Sequence, residues 1–310
     1  MSDAHDVVVI GAGLAGLTAA LTSGRLGRRT AILTGGTIGG QLVSIDRIEG
    51  VPGFPEGVPG YDLCPMAQEQ ADAAGVEFLM AGCDSIAAEE GLWRLASAEG
   101  ELLARAVVVA TGTGLAGLGL PGEEALVGRG VSHCASCDAP LLRGQVAVVA
   151  GGGDSGMQEA LTLADHLSKV ILLEKGPSLG GQQSYRERVT ANPKIEIRLG
   201  AAATGLVGDD ALTGVRITEG GAETVLECAA VFPCTGLVPN SALVKDLLAL
   251  DGTGRVPVDA AMRTSARGVF AVGNLRQGSP HRAAGAMGDG AAAAVALEDY
   301  LAAGRWRGED

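Results

Sequence analysis

Asp6-Val-Val-Val-Ile-Gly-Ala-Gly-Leu-Ala-Gly16 joins an unbroken apolar run to three glycines at G-x-G-x-x-G spacing, and an Ala/Leu-rich segment continues to Arg25. A short Val/Ile run is the pattern of a strand buried on both faces, and glycines followed by helix formers mark a tight turn into a helix. The three glycines do different things. Gly11 permits the turn, Gly13 lets backbone approach a pyrophosphate, and Gly16 lets the helix pack on the strand. The free N–H groups at the helix start offer an anion site. Alone, such a turn in a chain with 49 glycines is weak support for a nucleotide fold.

The pattern recurs. Gln145-Val-Ala-Val-Val-Ala150 reads as a strand, Gly151-Gly-Gly153-Asp-Ser-Gly156 as the turn, and Met157 to Leu167 as an amphipathic helix. A further strand, Lys169-Val-Ile-Leu-Leu-Glu174, ends in a carboxylate at roughly the 20-residue offset where an acid meets a ribose 2′-OH. In the first copy Thr34 stands at that position and carries no charge. Two such units predict an α/β chain with two Rossmann-like dinucleotide-binding domains. One chain with two nucleotide sites is the arrangement of a flavin exchanging hydride with a nicotinamide. Glu174 would repel a 2′-phosphate, and Lys175 supplies the one cation beside it, which favours NADH over NADPH.

A length of 310 residues suits two domains with cores of their own. The net charge of −13 repels phosphate backbones and anionic lipid, so no nucleic-acid partner is expected. No apolar run approaches the roughly 20 residues of a membrane helix, and the acidic Met1–Asp6 segment lacks the basic start of an export signal. A soluble cytoplasmic chain is expected. Cys64, Cys83, Cys228 and Cys234 lie scattered among apolar or small residues and read as core thiols. Cys134 and Cys137 differ: Val131-Ser-His-Cys-Ala-Ser-Cys-Asp138 sets two thiols at CxxC spacing shortly before Gly151. That spacing admits half a zinc site, a redox dithiol or an inert pair, but zinc needs four ligands and no second pair follows. The redox reading fits because CxxC spacing lowers one thiol's pKa and a thiolate is the attacking species. Asp138 is a candidate proton donor and acceptor for that thiol, or a helix cap; His133 reads as a partly buried polar residue.

These motifs together, with Thr34-Gly-Gly-Thr-Ile-Gly-Gly-Gln-Leu42, Val109-Ala-Thr-Gly112, Thr235-Gly-Leu-Val-Pro-Asn240 and Gly268-Val-Phe-Ala-Val-Gly273, make the chain resemble the low-molecular-weight thioredoxin reductases and the flavoprotein subunit of alkyl hydroperoxide reductase. The resemblance implies an FAD domain, 1–114 plus 246–310, interrupted by an NAD(P)H domain, 115–245, that carries the cysteine pair. It implies FAD contacts at Gly11, Gly13, Gly16, Thr34, Gly35, Gly40, Gln41, Thr111, Gly112, Gly273, Asn274, Arg282 and Ala283. NADH or NADPH contacts fall at Gly151, Gly153, Gly156, Glu174 and Lys175. Cys137 would face the flavin, Cys134 would attack the disulfide of a thioredoxin-like protein or a small molecule, and the assembly would be a homodimer.

Departures from the family pattern bear on partners. The usual His-Arg-Arg after the second Rossmann strand is Glu174-Lys175-Gly176, the usual Gly-Asp is Gly273-Asn274, and the usual Arg-Gln-Ala is His281-Arg282-Ala283; Gly50 stands where many relatives have Asn. A cation beside a flavin ring would stabilise its anionic reduced form. Three other readings stay open: a dithiol oxidase that passes electrons to oxygen, a reductase fed by a carrier such as ferredoxin, and a non-enzymatic nucleotide-binding flavoprotein.

Overall fold

A computed structural model describes residues 4–306. The chain forms two compact units: the segment up to Gly114 together with that from Pro239 onward, and Leu115–Val238 between them. The chain first crosses between the units at Gly114/Leu115. The second crossing lies at Val238/Pro239 rather than 245/246, because Pro239, Asn240, Ala242 and Leu243 line a cavity of the first unit and Val244 is buried in its core.

Along the first segment run β1 (His5–Ile10), α1 (Leu14–Arg25), β2 (Thr30–Leu33), α2 (Gly60–Ala73), β3 (Glu77–Leu79), β4 (Cys83–Glu89), β5 (Leu92–Ser97), β6 (Gly100–Val109) and β7 (Thr113–Leu115). The inserted unit holds α3 (Glu123–Leu126), α4 (Ala135–Asp138), β8 (Val146–Ala150), α5 (Asp154–His166), β9 (Lys169–Glu174), α6 (Gln183–Ala191), β10 (Ile195–Leu199), β11 (Ala201–Val207), β12 (Gly214–Glu219), β13 (Ala222–Glu227) and β14 (Ala230–Pro233). The return passes through β15 (Leu237–Pro239) and adds β16 (Val269–Ala271) and α7 (Ala283–Ala303).

In the first unit, β3, β2, β1 and β6 lie side by side with β16 on the far flank of β6, all parallel, while the early residues of β6 pair antiparallel with β5 and β5 with β4. Strand alternation sorts the apolar residues. Val7, Val9, Ile32 and Val108 face one core with Leu17 and Leu297; Val8, Ile10, Leu33 and Val109 face another with Trp93, Leu95 and Leu275. Each large aliphatic side chain buried this way contributes roughly 1.5–3 kcal/mol.

Aromatic residues make up only 3% of the chain, and α7 packs through small residues instead. A Cβ at Gly290 would lie 2.3 Å from the Ala15 carbonyl oxygen, so α7 and α1 cross with backbones nearly in contact and Ala293 and Leu297 fill the remaining gap. An Arg28–Glu298 ion pair ties the segment after α1 to the far end of α7.

The second unit is built on the parallel sheet β10-β9-β8-β14. One face packs on α5 and α6 through Met157, Leu163 and Val189; the other packs on the antiparallel sheet β11-β12-β13 through Val148, Ile171, Val215 and Ile217. Helix α5 begins at Asp154, three residues ahead of the Met157 expected from periodicity. Gly153 is its extended N-cap and Asp154 places an acid in the first turn, where the helix dipole favours it.

Candidate functional site

The turn after β1 shows why its glycines are spaced as they are. Gly11 has φ +102°, and a Cβ there would lie 2.5 Å from the Ala110 carbonyl oxygen. A Cβ at Gly16 would lie 1.9 Å from the Gly11 carbonyl oxygen, whereas one at Gly13, the N-cap of α1, meets nothing within 4 Å. Gly11 and Gly16 therefore shape the turn, and Gly13 leaves room in front of it.

That room opens into a cavity of about 830 Å³ within the first unit. Gly11, Gly13, Thr34, Gly35, Gly40, Gln41, Thr111, Gly112, Gly273, Asn274, Arg282 and Ala283 all line it. Of the residues read from sequence for this half, Gly16 alone stays behind the wall. The wall is stitched by hydrogen bonds. Gln41 Nε2 donates to the Thr113 carbonyl at 2.5 Å. Asn240 Nδ2 donates to the Thr111 carbonyl at 2.8 Å, and Thr111 Oγ1 returns a bond to the Asn240 carbonyl at 2.8 Å. Arg282 is the N-cap of α7 and Ala283 its first residue.

Asn240, His281 and the Arg276–Asp289 pair carry no site role legible in the local sequence, and Asn240 and His281 line the cavity. His281 Nδ1 lies 3.2 Å from Asn274 Oδ1, and its backbone has φ +53°. Behind the Gly273 turn, buried Asp289 accepts a two-pronged pair from Arg276, 2.6 and 2.8 Å, and the Gly273 N–H at 3.1 Å. No local pattern announces that pair, since Arg276 follows one turn and Asp289 sits inside an Ala/Gly-rich helix.

The turn after β8 repeats the geometry. Gly151 has φ +129°, and a Cβ there would lie 2.1 Å from the Cys234 carbonyl oxygen. A Cβ at Gly156 would lie 1.8 Å from the Gly151 carbonyl oxygen, and at Gly153 nothing lies within 4 Å. Glu174 at the end of β9 turns back over this loop: Oε2 accepts the Gly152 N–H at 2.8 Å and Oε1 the Gly176 N–H at 2.7 Å. A carboxylate has lone pairs left after two such bonds. Lys175 is exposed beside it.

Cys134 and Cys137 are joined by a disulfide with Cα atoms 5.3 Å apart. Cys134 is the N-cap of α4, its Sγ accepting the Cys137 N–H at 3.2 Å; the Ala135 N–H donates to Glu159 Oε2 at 2.6 Å. Asp138 is the last residue of α4, so it does not cap the helix start, and His133 is exposed rather than partly buried. Burial pushes the Cys64 and Cys83 thiols up to about 11 and Cys228 up to about 12. Cys234 is also pushed up to about 12, by burial first and the Glu159 charge second. Those four stay protonated at neutral pH. Cys64 and Cys228 are buried as expected, while Cys83 and Cys234 are only partly so.

The family model described as pyridine nucleotide-disulphide oxidoreductase matches residues 5–290. A thioredoxin reductase of Mycolicibacterium smegmatis is 38% identical over 96% of this chain and 97% of its own, and one of Treponema pallidum is 33% identical over 97% and 98%. The solved thioredoxin reductase of Lactococcus lactis superposes with a TM-score of 0.93 at 32% identity, covering 96% of this chain and 99% of that one. Among the described residues no helix is long and apolar enough to cross a membrane. Glycine turn for glycine turn, with a CxxC disulfide ahead of the second, the chain is an oxidoreductase that belongs to the pyridine nucleotide-disulphide oxidoreductase family, in its FAD-dependent, low-molecular-weight thioredoxin reductase branch.

Proposed function

We propose that this enzyme carries electrons from NADH to the disulfide of a thioredoxin-like protein, with FAD in the cavity of the first unit and the nicotinamide nucleotide at the Gly151–Gly156 turn. The observation that carries this reading is the Cys134–Cys137 disulfide at the head of a short helix, in a chain whose other thiols are held protonated.

The cavity fits the flavin. The space left in front of Gly13 lets a pyrophosphate reach the N–H groups at the head of α1, Thr34 Oγ1 offers a neutral ribose contact, and Asn274 and Arg282 stand on the same wall. When bound, FAD would supply two-electron transfer from a hydride donor to a disulfide. At the second turn, Glu174 is held by two backbone amides in an orientation that leaves acceptor capacity for a ribose diol and opposes a 2′-phosphate, which supports NADH.

Reduction of the pair breaks one S–S bond and takes up two electrons and one proton, leaving a thiolate on one sulfur and a thiol on the other. Cys134 is the attacking sulfur in this reading, because the Cys137 N–H that now points at its Sγ would stabilise a thiolate there. The Cys134 thiolate opens the substrate disulfide to a mixed disulfide and releases one substrate thiolate, and Cys137 displaces the second as the protein disulfide re-forms. Asp138, one residue after Cys137, exchanges the proton of that thiol. A cytoplasmic homodimer is the setting this reading adopts.

An anaerobic titration of the FAD-loaded protein with NADH and, separately, NADPH tests it. Flavin absorbance falls with NADH at nucleotide concentrations at least tenfold below those needed with NADPH. With Cys137→Ser the bleaching persists and reduction of a thioredoxin-type disulfide is lost. Absence of bleaching by either nucleotide would sink the proposal and return attention to oxygen or another carrier as the redox partner.

A further inference from the structure

Helix α5 does more than present the nucleotide turn. Its Glu159 reaches across to α4, where Oε2 accepts the N–H of Ala135, the residue bonded to Cys134. Fixed bond lengths then keep this carboxylate within roughly 7 Å of Cys134 Sγ. First-turn N–H groups are the part of a helix that stabilises negative charge, and here they are divided. The Cys137 N–H faces the Cys134 sulfur, while the Ala135 N–H is taken by an acid. The charge of the same carboxylate also adds to the raised pKa of the Cys234 thiol just beyond β14, after burial.

We propose that Glu159 is a positioning residue for the redox pair: it fixes α4 against α5 and, through its charge, keeps the Cys134–Cys137 couple strongly reducing. The inference rests on the redox reading of that pair. In the disulfide state both sulfurs are neutral and the carboxylate has little to act on. After the S–S bond accepts two electrons, each sulfur takes a proton or remains a thiolate, and a thiolate at Cys134 is repelled by Glu159. Destabilising the reduced form lowers the potential of a dithiol couple, the reverse of oxidants whose thiolate is stabilised. His133 and Asp138 flank the pair in sequence, and the Cys234 thiol feels the Glu159 charge. They are unchanged in the variants below, so differences isolate Glu159.

The test compares the FAD-loaded wild-type protein with Glu159→Gln and Glu159→Asp. Each is equilibrated anaerobically at pH 7 in reduced and oxidised glutathione and quenched by alkylation, and the thiols in the peptide holding Cys134 and Cys137 are counted by mass. Gln keeps an acceptor for the Ala135 N–H and removes the charge. E159Q moves the equilibrium about tenfold toward the dithiol, a potential about 30 mV higher, and Cys134 of the reduced protein is alkylated several times faster. E159D, whose charge is drawn back by one methylene, moves the equilibrium the same way by two- to threefold. An E159Q constant within twofold of wild type, or one shifted toward the disulfide, overturns the proposal. If E159Q does not fold, an E159D constant equal to that of wild type does the same. Wild-type sulfurs that never equilibrate with glutathione would instead sink the redox reading of the pair and leave nothing for Glu159 to tune.

Discussion

In the turn after β1 the second-strand residue is Thr34, neutral and buried, with its hydroxyl turned toward Met80 Sδ at 3.9 Å; in the turn after β8 it is Glu174, whose two oxygens each accept a backbone N–H. The glycines of the two turns are otherwise interchangeable in geometry. In both, the first has a left-handed φ, the third presses on the carbonyl of the first, and the middle one faces open space. The difference teaches that glycine spacing sets one backbone shape shared by both turns, while the charge beside each turn is set by one side chain at the end of the following strand. What lies in front of the turn differs too, since the first opens on the large cavity.

The sharpest way to break the equivalence of the turns is to add one methyl group at each glycine. Gly16→Ala and Gly156→Ala force a Cβ into a carbonyl oxygen of the same turn, and each costs upward of about 3 kcal/mol, read as a drop in the denaturant midpoint. Gly13→Ala and Gly153→Ala leave the midpoint nearly unchanged, because the new Cβ meets no protein atom. They act on ligands instead: Gly13→Ala lowers the flavin content of purified protein, and Gly153→Ala raises the nucleotide concentration for half-bleaching by about tenfold, near 1.4 kcal/mol. If Gly13→Ala unfolds the protein as Gly16→Ala does, the division of labour within the turn is wrong.

A second comparison exchanges the strand-end residues. Glu174→Thr makes the second site resemble the first and removes both the acceptors for the Gly152 and Gly176 amides and the charge that opposes a 2′-phosphate. The ratio of half-bleaching concentrations for NADPH and NADH falls by about tenfold, and flavin content is unaffected. A ratio that does not move would place nucleotide choice outside Glu174.

Both turns were legible in the sequence because their determinants are local: an apolar run, three glycines and a helix former suffice, and every first-half candidate but Gly16 reached the cavity wall. The start of α5 was misplaced by the same locality, since periodicity first shows at Met157 while the capping geometry begins at Gly153. The second crossing was misplaced because 239–245 carries no break in composition; its membership in the first unit is decided by contacts such as Asn240 with Thr111, which no short window contains. The Arg276–Asp289 pair and the Glu159–Ala135 bond were invisible for the same reason: each joins a loop or short helix to a helix that folds over it.

The smallest effect concerns a residue that the second turn has no counterpart for. His281 sits on the cavity wall in a left-handed backbone that costs a non-glycine residue of order 1 kcal/mol. Partial burial first, then the charges of Arg255, Arg282 and Arg276, hold its pKa below the ordinary histidine value. A depressed pKa means that the folded protein binds the proton less readily than the unfolded chain. Stability from neutral His281 is therefore complete above the unfolded value near 6.5 and is lost as pH falls below it toward the folded value. His281→Asn, which keeps a hydrogen-bonding group near Asn274 and tolerates the left-handed backbone, flattens the fall of the thermal midpoint between pH 7 and 5 and leaves the midpoint at pH 8 within a few degrees of wild type. An unchanged slope would mean that solvent on the open side of His281 screens the three guanidinium groups and that the cavity wall does not sense pH through this residue.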